Sequence, residues 1–434
     1  MKVAFSTLGC RVNQYESEAM TEKFIREGYE VVDFSDVADV YVINTCTVTN
    51  MGDKKSRQII SRARRLNNDA IIAVVGCYSQ IAPKEVSAIE GVDVVLGTRN
   101  KGDVVYYVNK ARDEKKVQVH VDSVLQNKKF EELNIEEYQN KTRAFLKIQD
   151  GCNRFCTYCI IPYSRGSVCS KEPRKVLEEV KQLADNGFKE VILSGIHTAS
   201  YGLDLDGTIT LVDLIEEIEK IDGIERVRIG SIEPAFFTPE VIEKFKGFKK
   251  LCPHFHLSLQ SGCDTVLKRM NRRYNAAEYE NIVNVLRENI EDVSISTDVI
   301  VGFPGETDEE FKETYEFLKR IKLTKTHIFK YSPRKGTRAA EMPNQVDGTK
   351  KEERSKALIA LNDINEKAFI EKYLGKDVEV LLEQKVKNKE NIYEGYTKNY
   401  IKVEVKKNEK SNTGDIIKCR IEKAHNDFAE GTII

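Results

Sequence analysis

The feature that most constrains the fold is an alternation of short β-branched segments with amphipathic helical segments along most of the chain. In the first hundred residues, strand-like segments occur at 2–7, 29–34, 40–44, 70–75 and 92–96. Helical patterns at 14–27, which ends at Gly28, and at 53–66, for which Asn50 is a possible N-cap, lie between them. Parallel strands need such crossover helices, so the sequence predicts a parallel α/β sheet domain over residues 1–112.

A second alternation begins at Arg143 and continues to Tyr331. Its strand candidates are 144–149, 190–194, 226–230, 254–260, 294–301 and 326–331. Six consecutive βα units predict a partial (β/α)6 barrel, related to the eight-unit barrel but incomplete. With a long charged helix at 350–374 that stops before Gly375, this predicted domain covers residues 142–370.

The rest of the chain has a different character. Residues 113–141 are polar with little periodicity and are predicted to be a linker. Residues 371–434 contain short strand candidates separated by polar turns, at 378–382, 393–397, 401–405, 416–424 and 431–434. This pattern predicts a small all-β barrel or sandwich at the C-terminal end.

Composition excludes several classes of protein. A chain of 434 residues with 41% hydrophobic and 32% charged residues is typical of an ordered protein, and at roughly 150 residues per domain it holds about three domains. A net charge of −1 argues against a globally basic nucleic-acid binder but permits a local basic face. There is no long apolar segment and no signal-like N-terminus, so we expect a cytoplasmic protein without membrane contact, whose cysteines stay reduced.

Cys152, Cys156 and Cys159 form a CxxxCxxC loop directly after the first strand of the predicted barrel. Three thiolates on one short loop can hold three irons of a four-iron, four-sulfur cluster and leave the fourth iron open to another ligand. Structural zinc is an alternative. It usually requires four ligands in paired spacing, and no second CxxC or histidine pair lies nearby.

Cys10, Cys46 and Cys77 each follow a predicted strand of the N-terminal sheet. In a parallel sheet the carboxyl ends of the strands open on one edge, which is where ligands bind in such folds. A single cysteine in such a place is usually a small buried residue. Three in equivalent places predict a second cluster with an open iron.

The CxxxCxxC loop, with aromatic Tyr158 before its last cysteine, resembles the radical S-adenosylmethionine superfamily. Together with Cys10, Cys46 and Cys77, it resembles the methylthiotransferases of that superfamily over nearly the whole chain. The resemblance implies an N-terminal domain with an auxiliary four-iron, four-sulfur cluster, a six-unit barrel with the radical cluster, and an OB-like C-terminal TRAM domain. The runs 9–15 and 194–202 look most like the branch that acts on threonylcarbamoyladenosine in transfer RNA.

The resemblance also implies the chemistry. Two S-adenosylmethionine molecules would be used per turnover, one as methyl donor and one as radical source, together with an external electron donor and a sulfur source. The product would carry a methylthio group on carbon two of the adenine. Isopentenyladenosine in transfer RNA and an aspartate of a ribosomal protein are alternative substrates with the same chemistry. A non-catalytic, metal-containing RNA-binding protein is an alternative of another class.

Further candidate residues lie at the carboxyl ends of the predicted barrel strands, where barrel active sites form. As cofactor contacts we predict Tyr158, Ser194, Gly195, Ser258, Gln260, Asp298 and Gly302. Turn formation and packing inside the barrel would explain the last six equally well. His197 and Glu233 are candidates for proton transfer or substrate orientation.

A basic helix face is the candidate for RNA binding. It consists of Lys54, Lys55, Arg57, Arg62, Arg64 and Arg65, which fall within about half of the helical circumference. A solvated helix surface explains the same pattern. Arg272, Arg273 and the basic residues of 330–338 are further candidates for RNA or cofactor contacts near the mouth of the barrel.

Overall fold

The structure is a computed structural model that describes residues 1–125, 129–133, 135, 142–207, 209–408 and 411–434. Within this part of the chain, an N-terminal sheet domain, an open barrel and a small closed barrel follow one another. The predicted fold class, α/β with a C-terminal all-β domain, is confirmed. Residues 126–128, 134 and 136–141 of the predicted linker lie outside the described residues.

The N-terminal domain is a six-stranded parallel sheet with the strand order β2-β1-β3-β4-β5-β6. Its strands are β1 (Lys2–Thr7), β2 (Glu30–Val32), β3 (Val40–Thr45), β4 (Ile71–Gly76), β5 (Val94–Leu96) and β6 (Gln118–His120). Its helices are α1 (Arg11–Arg26), α2 (Asn50–Leu66), α3 (Cys77–Ile81), α4 (Pro83–Ser87) and α5 (Val104–Glu114). The central strands are buried on both faces, which is why they read as continuous apolar segments.

Two helix starts differ from the sequence prediction. Helix α1 begins three residues before the predicted start, because Cys10 is extended and takes the N-cap position. Thr49, not Asn50, caps α2, and its hydroxyl accepts a hydrogen bond from the Gly52 amide. The prediction of Asn50 as the N-cap was therefore wrong.

The segment predicted as a linker is partly built into the two neighbouring domains. It begins with the end of α5 and continues into β6, which pairs with β5 as an edge strand of the N-terminal sheet. Leu133 and Ile135, further along, are buried in the core of the barrel. Short strands with few apolar residues give a weak periodic signal, so the sequence pattern did not reveal β6.

The central domain contains the six predicted parallel strands, arranged as a curved sheet that does not close. Its strands are β7 (Arg143–Lys147), β8 (Gln149–Asp150), β9 (Cys169–Ser170), β10 (Glu190–Ser194), β11 (Arg226–Ile229), β12 (Ser231–Ile232), β13 (His254–Leu257), β14 (Ser294–Val301) and β15 (Lys325–Lys330). Strands β7, β10 and β11 form one half, and β12, β13, β14 and β15 form the other, while β8 and β9 pair separately near the loop after β7. Strands β11 and β12 are one chain segment interrupted at Gly230, so the two halves follow a single curve.

Eight helices connect these strands within the described residues, and several of them have side-chain N-caps. They are α6 (Ile161–Arg165), α7 (Pro173–Asp185), α8 (Leu211–Ile218), α9 (Pro239–Gly247), α10 (Asp264–Arg269), α11 (Ala276–Asn289), α12 (Asp308–Ile321) and α13 (Gly348–Glu371). Asn275 and Thr307 form capping boxes at the starts of α11 and α12. None of the described helices combines the length and apolar character needed to cross a membrane.

The C-terminal domain is a closed barrel in the order β16-β17-β18-β20-β19. Its strands are β16 (Asp377–Lys385), β17 (Ile392–Thr397), β18 (Lys402–Lys406), β19 (Ile416–Ala424) and β20 (Ala429–Ile433). Tyr400, in the turn after β17, joins three domains, because its hydroxyl accepts hydrogen bonds from Arg11 of α1 and Arg143 of β7. The small barrel is thereby fixed against the other two domains.

Candidate active site at the domain interface

The CxxxCxxC loop leaves the central sheet after β8 and is held by backbone hydrogen bonds at both ends. The Cys152 amide donates to the Gly166 carbonyl at 3.0 Å, and the Thr157 amide donates to the Met270 carbonyl at 3.1 Å. Within the loop, the Cys159 amide donates to the Cys156 carbonyl at 2.9 Å. These bonds curl the loop so that its three thiols are close enough for the charge on each to affect the others.

Without a bound cation, the surroundings of the loop favour the neutral form of its thiols. Burial, and after it the charge of the nearby Cys156, raise the pKa of Cys159 to about 12. Burial also raises the pKa of Cys152. Arg272 and Arg154 are the nearby cations, and the Arg272 guanidinium donates to the Cys156 sulfur at 3.3 Å. Two guanidinium groups do not compensate three thiolates, whereas iron bound to all three would do so.

The N-terminal cysteine triad, which is Cys10, Cys46 and Cys77, lies where the sequence predicted, at the carboxyl ends of β1, β3 and β4. The chain passes so closely here that a Cβ atom on Gly9 would lie 2.8 Å from the Cys46 Cβ atom. Gly9 also has a φ of +103°, a backbone conformation that favours glycine. A larger residue at position 9 would therefore push Cys10 and Cys46 apart.

The three thiols of this triad also affect one another electrostatically. Burial, and after it the charges of Cys77 and Cys10, raise the pKa of Cys46 to about 11. Burial raises the pKa of Cys10 as well, against the lowering effect of the Arg165 charge. Cys10 is the exposed member of the N-terminal cysteine triad, whereas Cys77 is buried. A ligand or substrate can therefore reach the triad from the Cys10 side.

Each cysteine triad supplies the three thiols that a four-iron, four-sulfur cluster requires from the protein. In such a cluster each thiolate binds a different iron, and the fourth iron stays open to another ligand.

The two cysteine triads meet across the interface between the N-terminal domain and the barrel. Helix α3, which begins with Cys77, packs against α6, which follows the CxxxCxxC loop. Arg165, the last residue of α6, lowers the pKa of Cys10 and of Cys46, each against the larger effect of burial. Its guanidinium donates to Asn13 Oδ1 at 2.6 Å, and Asn13 donates to the Leu8 and Thr45 carbonyls, each near a cysteine. Arg165 therefore joins the segment after one triad to the backbone that carries the other.

A buried ionic network fixes this interface. Arg165 pairs with Glu16 of α1 at 2.9 Å and with Asp150 of β8 at 3.1 Å. Lys147 pairs with the same two carboxylates, and Lys101 also pairs with Glu16. All five side chains are fully buried. The pKa of Glu16 is well below its usual range because the cations, Arg165 foremost, outweigh the opposing effect of burial.

Arg334, after β15, makes a second connection between the N-terminal domain and the barrel. Its guanidinium pairs with Asp53 at 2.7 Å and donates to Thr47 Oγ1 at 2.5 Å and Asn50 Oδ1 at 2.6 Å. Thr47 directly follows Cys46. The barrel thus holds the segment after Cys46 through Arg334, independently of the contacts of Arg165.

The predicted cofactor contacts lie at the strand ends that face the CxxxCxxC loop. Ser194 ends β10, and Gly195 packs so tightly against Gln149 that a Cβ atom would lie 2.8 Å from the Gln149 Oε1 atom. Tyr158 is edge-on to Phe303 in a small apolar cluster. Assignment of these three residues to the cofactor stays a prediction.

The other predicted contacts have roles in the fold that the structure makes visible. The Ser258 carbonyl accepts hydrogen bonds from Arg272 and Tyr274. Gln260 has a φ of +76° and pairs with β14 through its backbone, while the Asp298 carboxylate lies 3.3 Å from His256 Nε2. The Gly302 amide donates to Glu306. Assignment of these four to the cofactor stays a prediction.

His197 and Glu233 contact each other at the mouth of the barrel. His197 Nε2 lies 3.2 Å from Glu233 Oε2, and Nδ1 lies 2.5 Å from Ser200 Oγ. Glu233 also pairs with Arg154 of the CxxxCxxC loop and lies 3.9 Å from Arg272. Hydrogen bonding from His197 and the charges of Arg272 and Arg154 lower the pKa of Glu233 against the larger effect of burial.

The basic helix face is only partly available for RNA. Lys54, Lys55, Arg62 and Arg65 are exposed along α2. Arg57 is also exposed but pairs with Glu85 at 3.1 Å. Arg64 turns back to Asp93 at 3.2 Å and to backbone carbonyls, so it serves the fold of the domain.

Sequence reasoning missed the buried residues that connect the two cysteine triads, namely Asn13, Glu16, Asp150 and Arg165. Nothing in their spacing shows that they meet. An arginine so close after the CxxxCxxC loop was a visible signal, but its partners lie on other elements. Arg272 was noted only as a general basic candidate, although it contacts Cys156 directly.

Comparison with known proteins decides the family. Family models match residues 146–318 as the radical SAM superfamily, residues 2–97 as uncharacterized protein family UPF0004, and residues 371–434 as a TRAM domain. A protein of Bacillus subtilis (strain 168), named threonylcarbamoyladenosine tRNA methylthiotransferase MtaB, is 46% identical over 100% of this chain and 96% of its own. The chain belongs to the radical SAM methylthiotransferase family. This family implies a four-iron, four-sulfur cluster and S-adenosylmethionine.

Two further similarities define how far the comparison extends. A Clostridium tetani (strain Massachusetts / E88) protein named tRNA-2-methylthio-N(6)-dimethylallyladenosine synthase is 37% identical over 98% of this chain and 94% of its own. A solved radical S-adenosylmethionine methyltransferase, TsrM from Kitasatospora setae, shares the fold with a TM-score of 0.56 and 16% identity, covering 76% of this chain and 72% of that one. At that identity the likeness concerns the fold alone.

Proposed function

We propose that this chain transfers a methylthio group to carbon two of threonylcarbamoyladenosine, next to the anticodon of transfer RNA. The observation that carries this proposal is the 46% identity, over the full chain, to a relative named for that activity. The dimethylallyladenosine synthase is less similar, at 37%. The meeting of two cysteine triads at one interface supports the chemistry, because the reaction needs a radical centre and a sulfur-delivering centre close together.

In this proposal Cys152, Cys156 and Cys159 hold the radical cluster, and the N-terminal cysteine triad holds an auxiliary cluster. When bound, the clusters and two S-adenosylmethionine molecules supply the radical and the methylthio group, with an external electron donor and a sulfur source. Arg272 stabilises the Cys156 thiolate by donating to its sulfur. Arg165 supplies positive charge beside the N-terminal cysteine triad.

The exposed side of Cys10 is where the adenine would enter. Arg165 and Arg334 of the barrel hold segments that carry or follow the cysteines of the N-terminal triad, so these cysteines are positioned before the RNA binds. The target base lies in a single-stranded loop and can be turned outward without opening a duplex. The exposed part of the basic helix face would contact RNA phosphates. A cytoplasmic location follows from this substrate.

The decisive test compares two RNA substrates. The anaerobically reconstituted enzyme, with reductant and S-adenosylmethionine, is incubated with transfer RNA that carries either threonylcarbamoyladenosine or isopentenyladenosine. Mass spectrometry of the digested nucleosides then reports any gain of a methylthio group. We expect the gain on the threonylcarbamoyl substrate alone, and no gain on either substrate with the Cys159→Ala variant.

Other outcomes would change the proposal in defined ways. A gain on the isopentenyl substrate alone would keep the chemistry and overturn the substrate. Zinc without iron or sulfide in the purified protein, together with no cleavage of S-adenosylmethionine, would overturn the enzyme itself.

A further inference from the structure

A cavity of about 290 Å³ opens beside the CxxxCxxC loop and is not used by any of the roles described above. One wall is Asn153 and Arg154, which directly follow Cys152. The opposite wall is Ser200, Leu203 and Asp204, from the segment after β10. Arg273 closes one side. The cavity therefore lies between the loop that carries three cysteines and the end of the run 194–202, which resembles the threonylcarbamoyladenosine branch and contributes Ser200 to the wall.

The charged side chains that line the cavity differ in whether they already have a partner. Arg154 pairs with Glu233, and the Asp204 carboxylate accepts hydrogen bonds from the amide and hydroxyl of Ser170. Among the residues that the structure describes, no hydrogen bond or ion pair involves the Arg273 guanidinium. Arg273 is thus the charge that a ligand in the cavity can use. A guanidinium of this kind binds a carboxylate through two parallel hydrogen bonds.

A chain of side-chain contacts also connects the cavity to the CxxxCxxC loop. Ser200 contacts His197, His197 contacts Glu233, and Glu233 lies within ion-pair distance of Arg272, which donates to Cys156. Arg273 directly follows Arg272. If the cavity binds a substituent of the adenine, the adenine itself is therefore held close to the CxxxCxxC loop.

We propose that this cavity binds the threonylcarbamoyl substituent of the substrate, with Arg273 pairing to its carboxylate. This inference rests on the proposed function. The substituent has a carboxylate, a hydroxyl and a methyl group, and the cavity offers a cation, the Ser200 hydroxyl and the Leu203 side chain, which is 78% exposed. An isopentenyl group has no polar atom, so it would cover Arg273 without giving it a partner, at a cost in binding free energy.

The test uses an anticodon stem-loop with threonylcarbamoyladenosine and the same stem-loop with the carboxylate converted to its methyl ester. Dissociation constants of both RNAs are measured by fluorescence anisotropy with the reconstituted enzyme, and kcat/KM for methylthio product is measured in parallel. We expect the wild type to bind the acid about tenfold more tightly than the ester, from one charge-assisted pair. Arg273→Met should bind acid and ester equally, and Arg273→Lys should restore part of the preference.

Arg174→Met is the matched control, because it removes the same charge from a side chain that is 83% exposed on the outer helix α7. It should keep the wild-type preference for the acid. A preference for the acid that survives in Arg273→Met would overturn the cavity assignment alone. So would a loss of RNA-independent S-adenosylmethionine cleavage in that variant, because Arg273 would then serve the cofactor. A wild type that modifies only isopentenyl RNA and does not prefer the acid would overturn the proposed function together with this inference.

Discussion

The two cysteine triads depend on different levels of structure, one on a single loop and the other on a whole sheet. Cys152, Cys156 and Cys159 lie on one loop, which backbone hydrogen bonds to Gly166 and Met270 hold in place. Cys10, Cys46 and Cys77 come from three strand ends, and a parallel sheet brings them to one edge. The first triad depends on a short sequence, whereas the second depends on the correct order and register of a whole sheet. Damage to the fold of the N-terminal domain should therefore affect the second triad first.

The cations beside the two triads differ in the same way. Arg272 contacts Cys156 from the segment after α10, within the barrel that carries the loop. Arg165 belongs to the barrel but acts on the cysteines of the N-terminal domain. The auxiliary site is therefore complete only when the two domains are packed together. The predictions below test this difference, starting with the largest expected effect.

Substitution of the cysteines should separate the two triads completely. Cys152→Ala, Cys156→Ala or Cys159→Ala should abolish S-adenosylmethionine cleavage and all product. Cys10→Ala, Cys46→Ala or Cys77→Ala should retain cleavage and lose methylthiolation. The measurements are 5′-deoxyadenosine by chromatography, methylthio nucleoside by mass spectrometry, and iron content, which each set should lower to about half, because each removes one of two equal clusters.

Cys419→Ala is the control for this experiment, since Cys419 is a buried thiol in the core of the small C-terminal barrel. It should retain both cleavage and product. Methylthiolation by any variant of the N-terminal cysteine triad would contradict the auxiliary-cluster assignment.

Removal of the Arg165 charge should weaken the interface that joins the triads. Arg165→Met leaves Glu16 and Asp150 buried with fewer cations, and loss of one partner from a buried ion pair costs about 3–5 kcal/mol. The measurement is the free energy of unfolding of the apo-protein in urea. Arg165→Lys keeps the charge but loses the guanidinium hydrogen bond to Asn13, so it should recover stability while methylthiolation stays low.

Arg320→Met provides the comparison, because Arg320 forms an ion pair with Glu280 at the surface. Such pairs contribute roughly 0–1 kcal/mol. If Arg165→Met were no more destabilising than Arg320→Met, the buried network would not hold the interface.

The difference between the triads also explains what the sequence could predict. The alternation of strands and helices predicted the two α/β domains, and short strands separated by polar turns predicted the C-terminal barrel. Several strands, such as β10 and β14, have the predicted bounds. The spacing of the three cysteines alone was enough to predict the CxxxCxxC loop. The N-terminal cysteine triad required a further step, from three strand ends to one sheet edge, and the structure places it there.

The interface between the domains was not predictable from a pattern. Arg165, Asn13 and Glu16 meet because two domains pack, and no spacing in one segment encodes that contact. The strand β6 was also missed, because three residues at a sheet edge give too little periodicity. The structural reason in both cases is that partners far apart in sequence decide the outcome.

Arg334 tests whether the barrel positions the segment after Cys46. Arg334→Ala removes the contacts to Thr47, Asn50 and Asp53. Residues that hold the neighbours of metal ligands typically contribute 10- to 100-fold, so we expect methylthiolation to fall by about that factor while S-adenosylmethionine cleavage is retained. Lys335→Ala, an exposed neighbour, should match the wild type. An equal loss of cleavage in Arg334→Ala would show that Arg334 serves the CxxxCxxC loop instead.

The smallest effect concerns how the CxxxCxxC loop is anchored. The Thr157 hydroxyl donates to the Arg269 carbonyl, and the Arg269 guanidinium binds both oxygens of Glu310 at 2.8 and 2.6 Å. Hydrogen bonds from Arg269 lower the pKa of Glu310 to about 2. Because this pKa is below that of the unfolded chain, the ionised carboxylate stabilises the fold at neutral pH, and this contribution is lost as the pH falls from about 4.5 to about 2.

Urea unfolding of the apo-protein at pH 6 and pH 3 measures this anchor. The wild type should exceed Glu310→Gln by about 2 kcal/mol at pH 6, which allows for the partial exposure of the pair, and by clearly less at pH 3. Glu316→Gln, an exposed carboxylate on the same helix, should show no such change with pH. A gap between wild type and Glu310→Gln that stayed constant over this range would mean that the ionised pair does not anchor the loop, and the CxxxCxxC loop would then depend on its backbone hydrogen bonds alone.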